Sequence, residues 1–279
     1  MIKTINIKNG KTSDLYKYLS SAITPRPIAL VSSINANGAI NLSPFSFFNV
    51  FSVDPPVLVF SPVRRVRDNS SKHTLDNVEN VKECVIALVT EDMAQQVSLA
   101  SCDYPDSVNE FKKAGFTEIE SEFVKPPRIK ESPINFECKI NEIVKLGNQG
   151  GAGNLVLAEV IKMHINTSIL DRDKNIDPFK LKLISRHGGG WYGKTTKDSL
   201  FEIPKPVSRI GMGIDNLPNN IRNSKVLTGS DLAILASFES VPEKSNLDPR
   251  NNTDELERHK IAKNLIGLGD IEKAWQILL

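Results

Sequence analysis

Short apolar runs that end in turn residues limit the fold of this 279-residue chain more than any other feature. Ile28 to Ile34 is rich in β-branched and aliphatic residues, and the Asn37-Gly38 pair that follows is a strong signal for a β-hairpin. Ile40 to Asn49 and Val57 to Ser61 are two more such runs. Because runs of this length fit strands better than helices, the first part of the chain is predicted to be mainly β.

Later segments extend this pattern. Val85 to Val89 is almost entirely apolar, which is typical of a strand buried on both faces. Asn135 to Val144 and Leu155 to Ile165 are predicted to form a long hairpin with a glycine-rich tip from Gly147 to Gly153. Because no helix pattern and no Lys-Ser/Thr pair follow these glycines, we interpret the tip as a turn rather than a phosphate-binding loop.

Helices are predicted over residues 69–81 and 90–101, and a helical period with two interruptions over 255–279. The strands outnumber the helices and do not alternate with them, and no GxGxxG motif follows a strand. This arrangement favours an antiparallel β barrel with peripheral helices over a doubly wound sheet. We predict two domains: a barrel at 1–200, and a C-terminal extension at 201–279 that packs on the barrel or on a dimer partner.

The composition excludes several classes of protein. A net charge of +2 gives no general attraction to nucleic acid or to an anionic membrane. The N-terminal residues lack the apolar core of a signal peptide, and no run reaches the roughly 18 apolar residues of a membrane span, so we expect a cytoplasmic protein. The three cysteines lack metal-site spacing and are interpreted as buried small hydrophobic residues. The four histidines are not spaced as metal ligands either, so no metal is expected.

A cluster of cations follows the strand that ends at Ser61. It consists of Arg64, Arg65, Arg67 and Lys72. A guanidinium group can donate two parallel hydrogen bonds to the oxygens of one phosphate. Ser61 or Thr74 could complete such a phosphate site. A solvated basic loop is the alternative, with Asp68 and Glu79 neutralising part of its charge.

Asn41, Ser43 and Ser46 form a second polar group, among phenylalanines that include Phe47. Short hydrogen-bonding side chains next to aromatic rings suit a heterocycle with amide-like edges. Pro44 cannot donate to a sheet and marks an edge or a bulge. The alternative is a polar turn next to core phenylalanines.

A third group is the glycine-rich segment from Ser185 to Gly193. Its glycines permit close approach of the backbone to a ligand, Trp191 or Tyr192 could stack on a ring, and His187 could hydrogen-bond to it. A glycine-rich turn with a structural histidine explains the segment equally well.

Taken together, these segments resemble the flavin reductase-like family, the FMN-binding split-barrel proteins that include flavoredoxins. The resemblance rests on the order and spacing of four segments: Thr24-Pro25-Arg26-Pro27-Ile28-Ala29-Leu30-Val31-Ser32, Asn41-Leu42-Ser43-Pro44-Phe45-Ser46-Phe47-Phe48, Asp54-Pro55-Pro56 and Lys72-His73-Thr74-Leu75-Asp76-Asn77. It covers about 15–193. Many short members of the family have aspartate where this chain has His73.

The resemblance implies a Greek-key split barrel that dimerises and binds one FMN per subunit, with NADH or NADPH as the electron donor. His187 or Arg26 could tune the flavin. The acceptor is open and includes a redox partner protein; a flavoredoxin-type electron carrier and a non-enzymatic FMN-binding protein are the alternatives. The implied cofactor-binding residues are Asn41, Ser43, Ser46, Phe47, Ser61, Arg64, Arg65, Lys72, Thr74, Asn77 and His187.

Overall fold

The computed structural model of the chain describes residues 1–203, 206, 210–244 and 254–279. The chain divides into two compact units, Met1–Phe201 and Glu202–Leu279. Two clusters of buried apolar side chains lie in the first unit, and a third lies in the second.

Within the described residues, all strands and five α-helices belong to the first unit. The strands are β1 (Ala29–Ile34), β2 (Ile40–Phe45), β3 (Phe48–Val53), β4 (Pro56–Phe60), β5 (Glu83–Leu88), β6 (Glu118–Ile119), β7 (Arg128–Ile129), β8 (Ile134–Lys145), β9 (Asn154–Ile165), β10 (Ile184–Arg186) and β11 (Tyr192–Lys194). The helices are α1 (Thr12–Ala22), α2 (His73–Val81), α3 (Ala94–Ala100), α4 (Glu110–Ala114) and α5 (Pro178–Leu181).

One antiparallel sheet of seven strands dominates this unit, in the order β2-β1-β5-β8-β9-β4-β3. Its two edge strands, β2 and β3, are separated in the chain only by Ser46 and Phe47. A sheet whose opposite edges are joined by two residues has to curl until those edges approach. The backbone amide of Ser61, just after β4, donates to the carbonyl oxygen of Phe47 at 2.8 Å and holds this junction. The curled antiparallel sheet with peripheral helices confirms the predicted fold class.

Both faces of the sheet are covered around β1, which is buried along its whole length. Ala29 and Val31 belong to one core cluster, whereas Leu30 belongs to a second that includes Val97 on α3 and Phe111 on α4. Burial of a Val, Leu or Phe side chain contributes about 1.5–3 kcal/mol. This two-sided burial explains the consecutive apolar residues Ala29-Leu30-Val31 in β1 and Cys84-Val85-Ile86-Ala87-Leu88 in β5.

Two predicted boundaries were wrong. The predicted strand from Ile40 to Asn49 is two strands, because the chain passes from one edge of the sheet to the other at Ser46-Phe47. The helix predicted from Asn69 begins at His73. Asn69 adopts a left-handed conformation with φ of 58°, and Oδ1 of Asp68 accepts a hydrogen bond from the amide of Ser70 at 2.9 Å, so a turn precedes the helix.

The cysteines differ in their exposure. Cys84 and Cys138 are buried and lie opposite each other on β5 and β8, as expected of small hydrophobic residues. Cys102 is exposed in the loop after α3, so the prediction of burial was wrong for this residue.

The second unit is helical over its described residues, with α6 (Asn219–Arg222), α7 (Gly229–Leu235), α8 (Glu255–Gly267) and α9 (Ile271–Leu278). Of the two predicted interruptions of the last helical segment, the one at Gly269 lies between α8 and α9, with a φ of 80°, whereas Gly267 is the last residue of α8. Trp275 on α9 is fully buried, and its indole nitrogen donates to the carbonyl oxygen of Leu235 at 3.3 Å. Trp275 therefore anchors the core of this unit.

Within the described part of the chain, no helix has both the length and the apolar composition needed to cross a membrane. The same residues contain no group of three or more His, Cys, Asp or Glu side chains arranged to hold a metal ion.

Candidate functional site

The junction between β2 and β3 borders an open cleft with a volume of about 320 Å³. Tyr16 on α1 also lines this cleft, and its ring lies 6.3 Å from that of Phe47, centroid to centroid. The two rings make one part of the cleft aromatic. The cleft brings together six of the residues that the sequence predicts for a cofactor: Ser46, Phe47, Ser61, Arg64, Arg65 and Lys72.

The loop after β4, residues 61–72, supplies the positive charge of the cleft; we call it the cation loop. Arg64 is oriented by Asn69, whose Oδ1 accepts from Nε at 2.7 Å and whose carbonyl oxygen accepts from Nη2 at 2.5 Å. No described residue accepts a hydrogen bond from Nη1 of Arg64. One edge of this guanidinium therefore remains available to an anion.

The glycine-rich hairpin tip between β8 and β9 supports the cation loop from outside. The amide of Arg64 donates to the carbonyl oxygen of Ala152 at 2.9 Å, and the amide of Gly151 donates to the carbonyl oxygen of Arg64 at 2.9 Å. Nδ2 of Asn69 reaches the carbonyl oxygen of Asn148 at 3.0 Å. The tip is a turn, as predicted, and its backbone fixes the path of the cation loop.

An acidic residue that sequence reasoning missed enters this cluster. Asp103 accepts from Nη2 of Arg65 at 2.9 Å, and its other oxygen lies 2.7 Å from Nη2 of Arg67. The hydrogen bond from Arg65 holds the pKa of Asp103 below its ordinary value. Burial, aided by the charge of Arg65, lowers the pKa of Lys72.

Of the two acids that the sequence suggested for neutralising the loop, only Asp68 pairs with a cation of the cluster, Arg67, at 3.0 Å. Glu79 pairs instead with Lys145 on β8 at 2.8 Å. Asp103 lies 38 residues beyond Arg65, so no local pattern could have linked the two.

A small cavity shares Arg65 and Lys72 with the cleft, and we call it the cation cavity. It has a volume of about 20 Å³ and is also lined by three predicted residues, Asn41, Ser43 and Thr74. Nδ2 of Asn41 donates to the hydroxyl of Thr74 at 2.9 Å. The predicted ring-side and phosphate-side residues are therefore in direct contact.

Asn77 is placed differently from the other predicted residues. It is buried on α2, and its Nδ2 donates to the hydroxyl of Ser33 on β1 at 3.0 Å. It lines neither the cleft nor the cation cavity but a polar pocket of about 250 Å³ next to the β1–β2 turn. In this conformation, Asn77 fixes α2 against β1.

His187 and Arg26 line neither the cleft nor the cation cavity. Nδ1 of His187 hydrogen-bonds with Thr24 Oγ1, and Nε2 with Ser185 Oγ at 3.2 Å, so both ring nitrogens have protein partners. Trp191 in the same glycine-rich segment remains 78% exposed.

Arg26 is buried between α1, the glycine-rich segment and Phe47. Its guanidinium donates to the carbonyl oxygens of Ser20, of Ile23 at 2.6 Å and of His187 at 3.2 Å. It also lies 5.8 Å from the centre of the Phe47 ring. Burial lowers the pKa of the Arg26 guanidinium. Arg26 thus positions the aromatic side of the cleft.

An aromatic wall next to guanidinium and ammonium groups suits a flat ring compound that carries an anionic group. The cations attract the anion, and the aromatic side chains give the ring an apolar surface.

Comparisons with known proteins identify relatives of this chain in sequence and in fold. An uncharacterized protein of Aquifex aeolicus is 38% identical over 188 residues, which are 67% of this chain and 93% of that protein. Nitrilotriacetate monooxygenase component B from Bacillus cereus has 29% identity and a TM-score of 0.68, over 73% of this chain and 99% of that one. The 2-nitrobenzoate 2-nitroreductase NbaA from Pseudomonas fluorescens has 27% identity and a TM-score of 0.64, over 75% of this chain and 100% of that one.

The match to a family model is the most direct of these findings. Residues 20–179, more than half of the chain, match the model of the flavin reductase-like domain. This range includes α1's last turn, the whole seven-stranded sheet, the cation loop and Asp103. The chain therefore belongs to the flavin reductase-like family.

Proposed function

We propose that this protein is an FMN-dependent oxidoreductase that takes electrons from NADH or NADPH and passes them to a small molecule or a partner protein. The observation that carries the proposal is the cleft itself, where Tyr16 and Phe47 offer an aromatic surface near the cations Arg64 and Lys72. The two structural relatives are named as a monooxygenase component and a nitroreductase, and both names describe redox proteins.

The volume of the cleft and the types of residue that line it are suitable for FMN. A volume of about 320 Å³ lies within the range of roughly 300–1,000 Å³ that is usual for small-molecule sites. Nη1 of Arg64 is available for a phosphate oxygen, as noted above. The hydroxyl of Ser61 accepts from the amide of Asn154 at 3.1 Å, so its own proton is available as well. Lys72 adds a third donor.

FMN, when bound, would supply the capacity to accept a hydride and pass electrons on. The chain's own residues would bind and orient it. Phe47 is held between Tyr16 and Arg26, which fixes the aromatic surface, and the cation loop is fixed by the hairpin tip.

We further propose a cytoplasmic homodimer. The edge strand β3 exposes Val50, Phe51 and Val53, with relative exposures of 58%, 70% and 85%. An exposed apolar edge strand favours association, and a second copy of the chain is the partner that the family resemblance implies. Free cysteines suit a reducing compartment. Sedimentation of the wild type and of Phe51→Asp tests the dimer, and a monomeric wild type would contradict it.

Flavin titration tests the cofactor assignment. We expect Arg64→Ala/Arg65→Ala to weaken FMN binding by at least about tenfold, since a hydrogen bond to a charged group contributes roughly 1.5–3 kcal/mol. Riboflavin, which lacks the phosphate, should bind the variant and the wild type equally. Arg172→Ala, at an exposed position, is the matched control.

Anaerobic mixing with NADH or NADPH then tests the reaction. Bleaching of the flavin absorbance in the wild type supports the proposal. A flavin-loaded protein that neither donor bleaches would instead be an electron carrier or an FMN-binding protein, and a chain that binds neither FMN nor riboflavin would refute the cofactor assignment.

A further inference from the structure

Asp103 lies inside the cationic cluster at which the proposed phosphate would bind. Its Oδ1 accepts from Arg65 Nη2 at 2.9 Å and from Nε at 3.2 Å, and its Oδ2 lies 2.7 Å from Nη2 of Arg67. Nζ of Lys72 is 3.9 Å from Oδ1. One carboxylate therefore contacts three cations of the cluster.

Arg65 has no nitrogen without an acceptor. Nε and Nη2 face Asp103, and Nη1 donates to the hydroxyl of Ser70 at 3.0 Å and to the carbonyl oxygen of Ser71 at 2.5 Å. Carboxylates and phosphates engage the same edges of a guanidinium group. A phosphate that binds Arg65 through Nε and Nη2 would have to replace Asp103 or share its donors.

The cavity next to Asp103 is also too small for an additional anion. Asp103 lines the cation cavity together with Lys72 and Thr74, and this cavity of about 20 Å³ has room for roughly one water molecule. A phosphate that contacted Lys72 and Thr74 together would therefore require the carboxylate to move away.

We propose that Asp103 is an intramolecular competitor for the phosphate of FMN and lowers the affinity of the site for this flavin. Two anions within one cationic cluster repel each other, and the resident carboxylate already binds Arg65 and lies 3.9 Å from Lys72, two of the cations nearest to the phosphate. The inference rests on the proposed function and deepens it. A site with such a competitor releases FMN faster than the same site would without it.

Asp103→Asn tests this inference, because asparagine keeps an oxygen acceptor for Arg65 and removes the negative charge. The dissociation constants of FMN and riboflavin are measured for the full chain by quenching of flavin fluorescence. We expect FMN to bind the variant about 5- to 10-fold more tightly, with a slower release in stopped-flow measurements. Riboflavin affinity should be unchanged. Asp103→Ser, which also lacks the charge, gives a second measurement if Asp103→Asn does not fold.

Asp173→Asn is the matched control, since Asp173 is exposed and lines neither the cleft nor the cation cavity, and FMN affinity should not change. Unchanged FMN affinity in both Asp103 variants would overturn the inference, as would weaker binding, which would show that Asp103 orients Arg65 for the ligand. These outcomes leave the proposed function intact. If the wild type bound neither flavin, the proposed function would fail as well.

Discussion

A methyl group added at Gly150 would lie 3.0 Å from the carbonyl oxygen of Arg65 and 3.1 Å from Cα of Val66. The glycine-rich hairpin tip and the cation loop are thus in direct backbone contact. Neither neighbour is the end of a flexible side chain, so a larger residue at this position has to displace the loop. The absence of a side chain at Gly150 therefore permits this close contact between the two segments.

Gly150→Ala is predicted to shift the cation loop and to weaken FMN binding several-fold, with little effect on riboflavin. Overpacking of this kind costs about 1–3 kcal/mol of unfolding free energy. Flavin titration and urea denaturation measure the two effects. Gly229→Ala is the matched control, because an added Cβ there meets no atom within 4 Å. Equal loss of affinity for both flavins would contradict a specific effect on the phosphate side.

Arg26→Ala is predicted to lower the unfolding free energy by roughly 2–4 kcal/mol, because the carbonyl oxygens of Ser20, Ile23 and His187 would lose a buried, charged donor. Arg26→Lys should recover part of this loss, since one ammonium group cannot reproduce the planar arrangement of donors. Urea denaturation of both variants measures the effect. Wild-type stability in Arg26→Ala, together with an altered flavin reduction potential, would favour a direct role in flavin tuning instead.

The strands were predictable because their signals are local. The apolar runs of β1 and β5 and the Asn37-Gly38 turn each report on their immediate neighbours in the chain. The break at Ser46-Phe47 was not predictable, because it depends on which sheet edge each flanking strand joins. Local patterns record that a segment is a strand but not where that strand pairs.

In the candidate site, too, the residues that are close in the chain were predictable, and those that are distant in the chain were not. Arg64, Arg65 and Lys72 are close in the chain, and the fold keeps them together in the cleft. Asp103 and Tyr16 are brought to them only by tertiary structure. The type of a polar residue does not by itself predict which residue its side chain will contact.

The ionisation of Glu110 predicts how the unfolding free energy of the protein depends on pH. This carboxylate at the start of α4 is 4% exposed, and its Oε2 accepts from the amide of Leu42 on the edge strand β2 at 2.9 Å. Burial raises the pKa of Glu110 above its ordinary value. The folded state therefore binds this proton more tightly than the unfolded state does. The resulting stabilisation is fully present below the unfolded pKa of about 4.3 and is lost as the pH rises through the folded pKa.

Glu110→Gln removes the ionisation but keeps an oxygen that can accept from Leu42. We expect the variant to be more stable than the wild type at pH 7, with a difference that declines as the pH falls toward about 4, where the wild-type carboxyl is protonated in both states. Urea denaturation at a series of pH values measures this difference. Glu120→Gln, which removes an exposed carboxylate nearby in the sequence, controls for the loss of one negative charge. A Glu110→Gln variant that was less stable than the wild type at pH 7 would show that the charged form strengthens the hydrogen bond to Leu42 by more than burial costs.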